Sequence, residues 1–81
     1  MPVPPLSGAP TMFHLSLRLA DHTRHYSISA VAPSGWEVRL EEDRELRRHD
    51  FYQDWHRVER AQALFELEVQ RLRERGWLVI R

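Results

Sequence analysis

The side chains of this 81-residue chain that could do chemistry are five histidines and the serines near them. His14 and His25 fall in two neighbouring alternating segments and could face each other across a hairpin, whereas His49 and His56 flank the predicted start of a helix. Imidazole nitrogens can bind zinc or nickel. The chain has no cysteine and no HxH or HxxxH spacing. We therefore interpret the histidines as polar surface residues and expect neither a metal nor a cofactor.

Serines close to the histidines raise the question of nucleophilic catalysis. Ser16, Ser27 and Ser29 share the same predicted hairpin with His14 and His25. A serine nucleophile needs a base within hydrogen-bond reach, and it often sits on a Gly-x-Ser-x-Gly turn. That turn and the glycine-rich phosphate loops are missing from the sequence. The sequence therefore favours a non-enzymatic protein with no catalytic residues.

Composition and charge narrow the class of protein further. Twelve acidic and twelve basic residues cancel, and every basic residue is an arginine. A general polyanion binder usually carries an excess of basic residues, so nucleic acid is not the favoured partner. Without cysteine the fold depends on packing, which suits a reducing cytoplasm. No apolar run is long enough to span a membrane. We expect a cytoplasmic domain that does not bind a membrane.

The polar candidates must be positioned by strands and a helix, which the residue pattern indicates. Residues 1–11 contain four prolines and are read as a flexible tail, and residues 12–81 as a single α+β domain. Apolar and polar residues alternate over Phe13–Leu19, Tyr26–Ala30 and Trp36–Leu40, which is typical of half-buried antiparallel strands. Residues 44–50 have a poor apolar pattern and could form either a charged edge strand or a loop.

A long amphipathic helix is expected after the strands. No proline or glycine occurs between Trp55 and Arg75, and the helix could begin after either Asp50 or Asp54. One apolar stripe should cover the sheet; it consists of Trp55, Val58, Ala61, Phe65, Val69 and Leu72. The apolar residues that follow Gly76 should pack back on the domain or add a short strand. The expected fold is an antiparallel meander of three to four strands packed on one C-terminal helix, with a possible short final strand.

Exposed leucines on the helix lead to the first functional hypothesis. Leu64 and Leu67 lie away from the core stripe and are flanked by Arg60 and Arg71. Apolar residues rimmed by arginine are typical of protein interfaces. Trp77 and Leu78 add apolar surface near the end of the chain. We therefore expect a small protein-interaction module that self-associates or docks on a protein partner.

A second hypothesis places a nucleic acid on the face of the sheet opposite the helix. By alternation that face carries arginines and histidines, namely His14, Arg18, His25, Arg39, Arg47 and His49. Sheet surfaces of this kind can bind phosphates and bases. Single-strand binders usually add exposed aromatic residues, however, and the aromatic residues of the first three strands fall on the inward register. Nucleic-acid binding is therefore the alternative to protein binding.

Overall fold

The computed structural model of the protein describes residues 11–31 and 34–80, which form a five-stranded sheet and one helix. The elements in chain order are β1 (Thr11–Leu19), β2 (His22–Val31), β3 (Gly35–Glu42), β4 (Glu45–Tyr52), α1 (Trp55–Glu74) and β5 (Leu78–Ile80). All neighbouring strands are antiparallel, and their order in the sheet is β4-β3-β2-β1-β5. The predicted α+β fold is confirmed, with four meander strands and a short fifth strand.

The turn between β3 and β4 shows why the chain returns directly as a fourth strand. Asp43 and Arg44 both have positive φ, 51° and 69°. Two such residues in a row match the tight primed turns that follow the twist of a hairpin. The Asp43 carboxylate accepts a hydrogen bond of 2.9 Å from the backbone N–H of Thr23, which holds the turn against the start of β2. Residues 44–50 thus enter a charged edge strand, which was one of the two alternatives.

Both ends of α1 have recognisable caps. Asp54 is the N-cap, since its Oδ1 accepts a hydrogen bond of 3.0 Å from the backbone N–H of His56. Asp50, the other predicted start, lies inside β4. At the other end Gly76 has a φ of 103°, and the N–H of Trp77 donates to the carbonyl of Leu72 over 3.0 Å. This Schellman arrangement ends the helix and turns the chain back toward the sheet.

The core lies between α1 and one face of the sheet. Its fully buried or nearly fully buried residues are Leu17, Tyr26, Ile28, Val38, Val58, Ala61, Phe65, Val69 and Leu72. Five of the six residues of the predicted helical stripe are among them. The sixth, Trp55, is 39% exposed because it lies on the first turn, where its ring packs against Trp36 with centroids 5.2 Å apart. Trp55 was expected to be buried with the rest of the stripe, but its side chain is only partly buried.

Strand register assigns each strand residue to one face. Leu17 on β1 is opposite Val79 on β5, and both belong to the inner face that packs against the core. Arg18 is opposite Leu78, so Leu78 lies on the other face.

No helix within residues 11–31 and 34–80 is long and apolar enough to cross a membrane. Apart from Thr11, the tail predicted over residues 1–11 falls outside the described residues.

Candidate interaction surfaces

Two surfaces of the domain are left uncovered in the described part of the chain. The outer helix face consists of Arg60, Leu64, Leu67 and Arg71, one stripe of α1 that points away from the sheet. The open sheet face consists of the strand residues that point away from the helix; they are His14, Ser16, Arg18, His25, Ser27, Ser29, Glu37, Arg39, Glu41, Leu46, His49, Phe51, Leu78 and Ile80. These two surfaces lie on opposite sides of the domain.

The outer helix face is apolar at only two positions. Leu64 is 55% exposed and Leu67 is 44% exposed, and both flanking arginines are also exposed. Neither Arg60 nor Arg71 forms an ion pair with a described residue. The arrangement predicted from the sequence is thus present as a narrow stripe.

The apolar C-terminal segment does not extend this stripe. Trp77 is half-buried against the core, and the guanidinium carbon of Arg24 lies 6.0 Å from the centroid of its ring. Leu78 is 70% exposed but belongs to the open sheet face. The residues grouped as one interaction surface from the sequence are therefore divided between two sides of the domain.

The centre of the open sheet face is polar and internally paired. Across β1 and β2, the Ser16 hydroxyl and the His25 Nδ1 are joined by a hydrogen bond of 2.6 Å. His49 Nε2 lies 2.8 Å from Glu37 Oε2, on adjacent strands. Pairing of this kind satisfies polar groups within the face, so less of their hydrogen-bonding capacity depends on water or a ligand.

His14 and His25, the two histidines of the predicted hairpin, both lie on this face. His14 is opposite Ser27 and His25 is opposite Ser16, so the two histidines are diagonal neighbours and do not face each other directly as expected. Among the described residues no group of three or more histidine, aspartate or glutamate side chains could hold a metal ion. The Ser16–His25 pair also has no described carboxylate hydrogen-bonded to the imidazole, which a catalytic triad uses to orient its base.

Apolar side chains flank the polar centre on both edges of the open sheet face. Leu46 and Phe51 lie on β4 at one edge, and Leu78 and Ile80 lie on β5 at the other. All four are exposed; Phe51 is exposed to 53%. We refer to these four residues as the apolar rims. Phe51 on β4 is thus an outward-facing strand aromatic, unlike the aromatic residues that were predicted to face inward on the first three strands.

Phe51 is held in place by a glycine beneath its ring. Gly35 is buried, and a Cβ atom built on it would lie 2.5 Å from Phe51 Cζ and 2.9 Å from Phe51 Cε2. The ring thus occupies the space that a larger residue at position 35 would need. The Phe51 ring therefore packs over Gly35 on one side and stays exposed on the other.

Most basic residues proposed for nucleic-acid binding already have partners. Arg39 Nη2 donates 2.9 Å to Glu41 Oε1, and Arg18 Nε donates 3.1 Å to the carbonyl of Ala20. Arg47 lies at the β-bulge of β4 and forms longer ion pairs of 3.7 Å with Glu42 and 3.3 Å with Glu45. The face therefore presents compensated charges rather than a basic stripe.

A small polar cluster at the turns of the sheet was missed by sequence reasoning. His22 Nδ1 lies 2.9 Å from Asp43 Oδ2, although His22 begins β2 and Asp43 lies in the β3–β4 turn. The hydrogen bond to Asp43, with its negative charge, raises the pKa of His22 above its ordinary value of 6.5. The same contact and the Thr23 N–H lower the pKa of Asp43 below 3.8. This exposed pair fastens the β3–β4 turn to β2.

A second missed network joins the helix to the inner face of the sheet. Arg24 Nη1 and the Tyr26 hydroxyl each donate 2.7 Å to the same oxygen, Glu68 Oε1. Burial and the neighbouring Glu68 raise the pKa of Tyr26, although Arg24 opposes that effect. Glu68 lies 44 residues after Arg24 and 42 residues after Tyr26, so no local sequence pattern indicates the network.

No model of a known protein family matches the chain, and neither does any curated protein sequence or any solved structure.

Proposed function

We propose that the chain is a non-enzymatic protein-interaction module whose main binding surface is the open sheet face. The observation that carries this proposal is the pair of apolar rims, left uncovered on either side of an internally paired polar centre. Exposed apolar groups grouped with arginine and hydrogen-bonding side chains are typical of protein interfaces. The sheet supplies that grouping on a single flat surface.

The outer helix face is a weaker candidate for the same function. Its apolar part is limited to Leu64 and Leu67, which sit between two arginines. Burying two leucine side chains removes less apolar area from water than burying the four side chains of the apolar rims. We therefore assign the outer helix face a secondary role, in contrast to its leading place in the sequence-based hypothesis.

Rigidity of the open sheet face supports the proposal. Phe51 rests on Gly35, and Ser16 is 8% exposed with its hydroxyl bonded to His25. Side chains that are already ordered lose little conformational freedom when a partner binds, so more of the contact energy remains as affinity. The face thus resembles a preformed binding surface more closely than the mobile side chains of an exposed helix would.

The charge of the face indicates the chemistry of its partner. Arg18 and Arg39 balance Glu37 and Glu41, so the face has no formal net charge when its histidines are neutral. A neutral, partly apolar surface has no long-range attraction for a polyanion. It fits a protein surface that is itself apolar at its edges and of mixed charge at its centre.

Matched variants test this proposal. Phe51→Glu and Leu78→Glu each place a charge on an apolar rim, and Leu67→Glu makes the same change on the outer helix face. Circular dichroism first establishes that all three variants fold. Each chain is then used to capture binding proteins. Those that bind the wild type and the Leu67 variant but not the two rim variants are purified and titrated calorimetrically against each chain. Partners that bind the rim variants as tightly as the wild type would contradict the proposal.

Nucleic-acid binding remains the second candidate because of one observation, the exposed Phe51 ring on the face that carries Arg18 and Arg39. Bases can stack on such a ring while arginines contact phosphates. Fluorescence anisotropy with short single- and double-stranded oligonucleotides at low salt tests this candidate. Binding that weakens as salt rises, and that Phe51→Ala reduces, would support it. No binding at tens of micromolar, roughly the strength expected of non-specific contacts, would reject it.

A further inference from the structure

We infer that the partner of the open sheet face is a second copy of this chain, packed face to face about a two-fold axis that runs parallel to the strands. This inference rests on the proposed function, since it takes the open sheet face as the binding surface. A two-fold interface requires a surface that is complementary to itself. The strand order and the distribution of residues across the sheet give the open sheet face that property.

Strand order determines what such an axis brings together. β2 is the middle strand of five, so an axis above β2 places β4 over β5 of the second copy. One row across the sheet runs from Ile80 through Ser16, His25 and Glu41 to Leu46. The axis therefore sets Leu46 above Ile80 of the second copy. Leu46 and Ile80 of the two copies therefore cover each other and leave water. Phe51 lies in the row of Ser29 and Glu37, which β5 does not reach.

The distribution of charge favours this axis over a two-fold axis that runs perpendicular to the strands. The parallel axis places β1 over β3 of the second copy. Row by row, it sets Ser16 over Glu41 of the second copy and His14 over Arg39, so that no two charged side chains of like sign are opposed when the histidine is neutral. An axis perpendicular to the strands would instead set each strand over its own counterpart, glutamates over glutamates. Because opposed like charges disfavour association, the parallel axis is the better one.

The size of the face is sufficient for a specific pair. Four strands of about eight residues each and the three-residue β5, spaced about 4.8 Å apart with about 3.3 Å per residue, cover roughly 550 Å². Two such faces give about 1,100 Å², which exceeds the ~1,000 Å² expected of a biological interface. The interface is therefore large enough for a dimer, though at the small end, and a reversible dimer is expected.

Cross-linking between introduced cysteines tests the arrangement. Because the chain has no native cysteine, only the introduced cysteines can form the cross-link. Leu46→Cys and Ile80→Cys chains are prepared separately and mixed with a bismaleimide whose span matches the ~10 Å separation of packed sheets. We expect a cross-linked pair from the mixture and little from either chain alone. A mixture of Leu46→Cys with Phe51→Cys is the control for the perpendicular axis, and Leu67→Cys alone is the control for pairing through α1. A product from either control in place of the first mixture overturns the inference.

Sedimentation equilibrium separates this inference from the proposed function. We expect a mass that rises toward that of a dimer with concentration, and a Kd that Leu46→Glu raises at least about tenfold, or ~1.4 kcal/mol. Leu67→Glu should leave the Kd within about twofold. A chain that stays monomeric up to about 1 mM, the weak end of specific association, overturns the second copy as partner. The proposed function would then be decided by the calorimetric titrations alone.

Discussion

Tyr26 and Glu68 join the sheet to the helix through a hydrogen bond of 2.7 Å from the tyrosine hydroxyl to the glutamate Oε1. Arg24 donates to the same oxygen over the same distance. The Tyr26 ring itself is fully buried and lies edge-on to Phe65, with centroids 4.8 Å apart. The contact therefore links the core to a charged network at its margin.

Tyr26→Phe removes that hydrogen bond and the one that the hydroxyl accepts from Arg24 Nη1, and it keeps the ring. We expect the free energy of unfolding to fall by about 2 kcal/mol, since each intramolecular hydrogen bond contributes about 1 kcal/mol net. Urea unfolding followed by circular dichroism measures the change. Glu66→Gln, on an exposed position of α1, is the control; its amide oxygen can still accept the hydrogen bond from Gln62, so it should change the free energy of unfolding by less than about 0.5 kcal/mol. Equal stability of Tyr26→Phe and the wild type would show that these bonds add nothing to stability.

Adjacent residues of α1 test how the core is divided from the outer helix face. Phe65 is 1% exposed and Leu64 is 55% exposed. Phe65→Ala should lower the free energy of unfolding by about 3–5 kcal/mol, because it leaves a cavity against Phe13 and Tyr26. Leu64→Ala should cost less than about 0.5 kcal/mol. Similar losses for the two variants, measured by thermal or urea unfolding, would contradict this packing of the helix.

The β3–β4 turn offers a stabilising substitution. Arg44 has a φ of 69°, a region that side chains with a Cβ atom adopt at a cost of about 1–2 kcal/mol and glycine adopts freely. Arg44→Gly should therefore raise the free energy of unfolding, by up to about 1 kcal/mol after the added freedom of the unfolded chain is counted. Arg47→Gly, three residues later in β4, is the control and should destabilise. A loss of stability in Arg44→Gly would argue against the two-residue turn.

The His22–Asp43 contact predicts a pH dependence. Because the folded pKa of His22 lies above 6.5, its contribution to stability is present below that pH and is lost as pH rises through the folded pKa. The folded pKa of Asp43 lies below 3.8, so its contribution is present above that pH and is lost on further acidification. The contact should be strongest between these two limits.

Titration by NMR measures this effect directly. The imidazole signals of His22 should report a pKa above 6.5, and Asp43→Asn should bring it back toward that value. Asp21→Asn is the matched control, since the charge of Asp21 raises the pKa of His22 less than Asp43 does. An unchanged His22 titration in Asp43→Asn would show that the two side chains do not interact in solution.

Local patterns were sufficient to predict β1 to β3 and the helix, but they left β4 open as either an edge strand or a loop. In β1 to β3 the apolar residues face the helix, so alternation is easy to recognise. In β4 the order is reversed: Arg48 and Asp50 lie on the inner face, where they pair with each other, while Phe51 points outward. A β-bulge near Arg47 shifts the pattern further. An edge strand need not bury an apolar face, which is why its sequence carries no clear strand signal.

Local sequence patterns predicted only part of the candidate interaction surfaces. The open sheet face could be listed from alternation, and the exposure of Leu64 and Leu67 from helical periodicity. The apolar rims depend on which strands lie at the two edges, and that is a property of the sheet order. Contacts such as Arg24 with Glu68, which are 44 residues apart, arise only when the helix crosses the sheet. They cannot be derived from local sequence patterns.

The central claim, that the open sheet face is the surface through which the chain associates, can be measured residue by residue. Amide chemical shifts recorded by NMR over a dilution series show which residues change environment as the chain associates. We predict changes at the apolar rims and along the centre of the open sheet face, around Ser27 and Arg39, with Leu64 and Leu67 unaffected. Changes confined to the outer helix face, or none at any concentration, would contradict the claim.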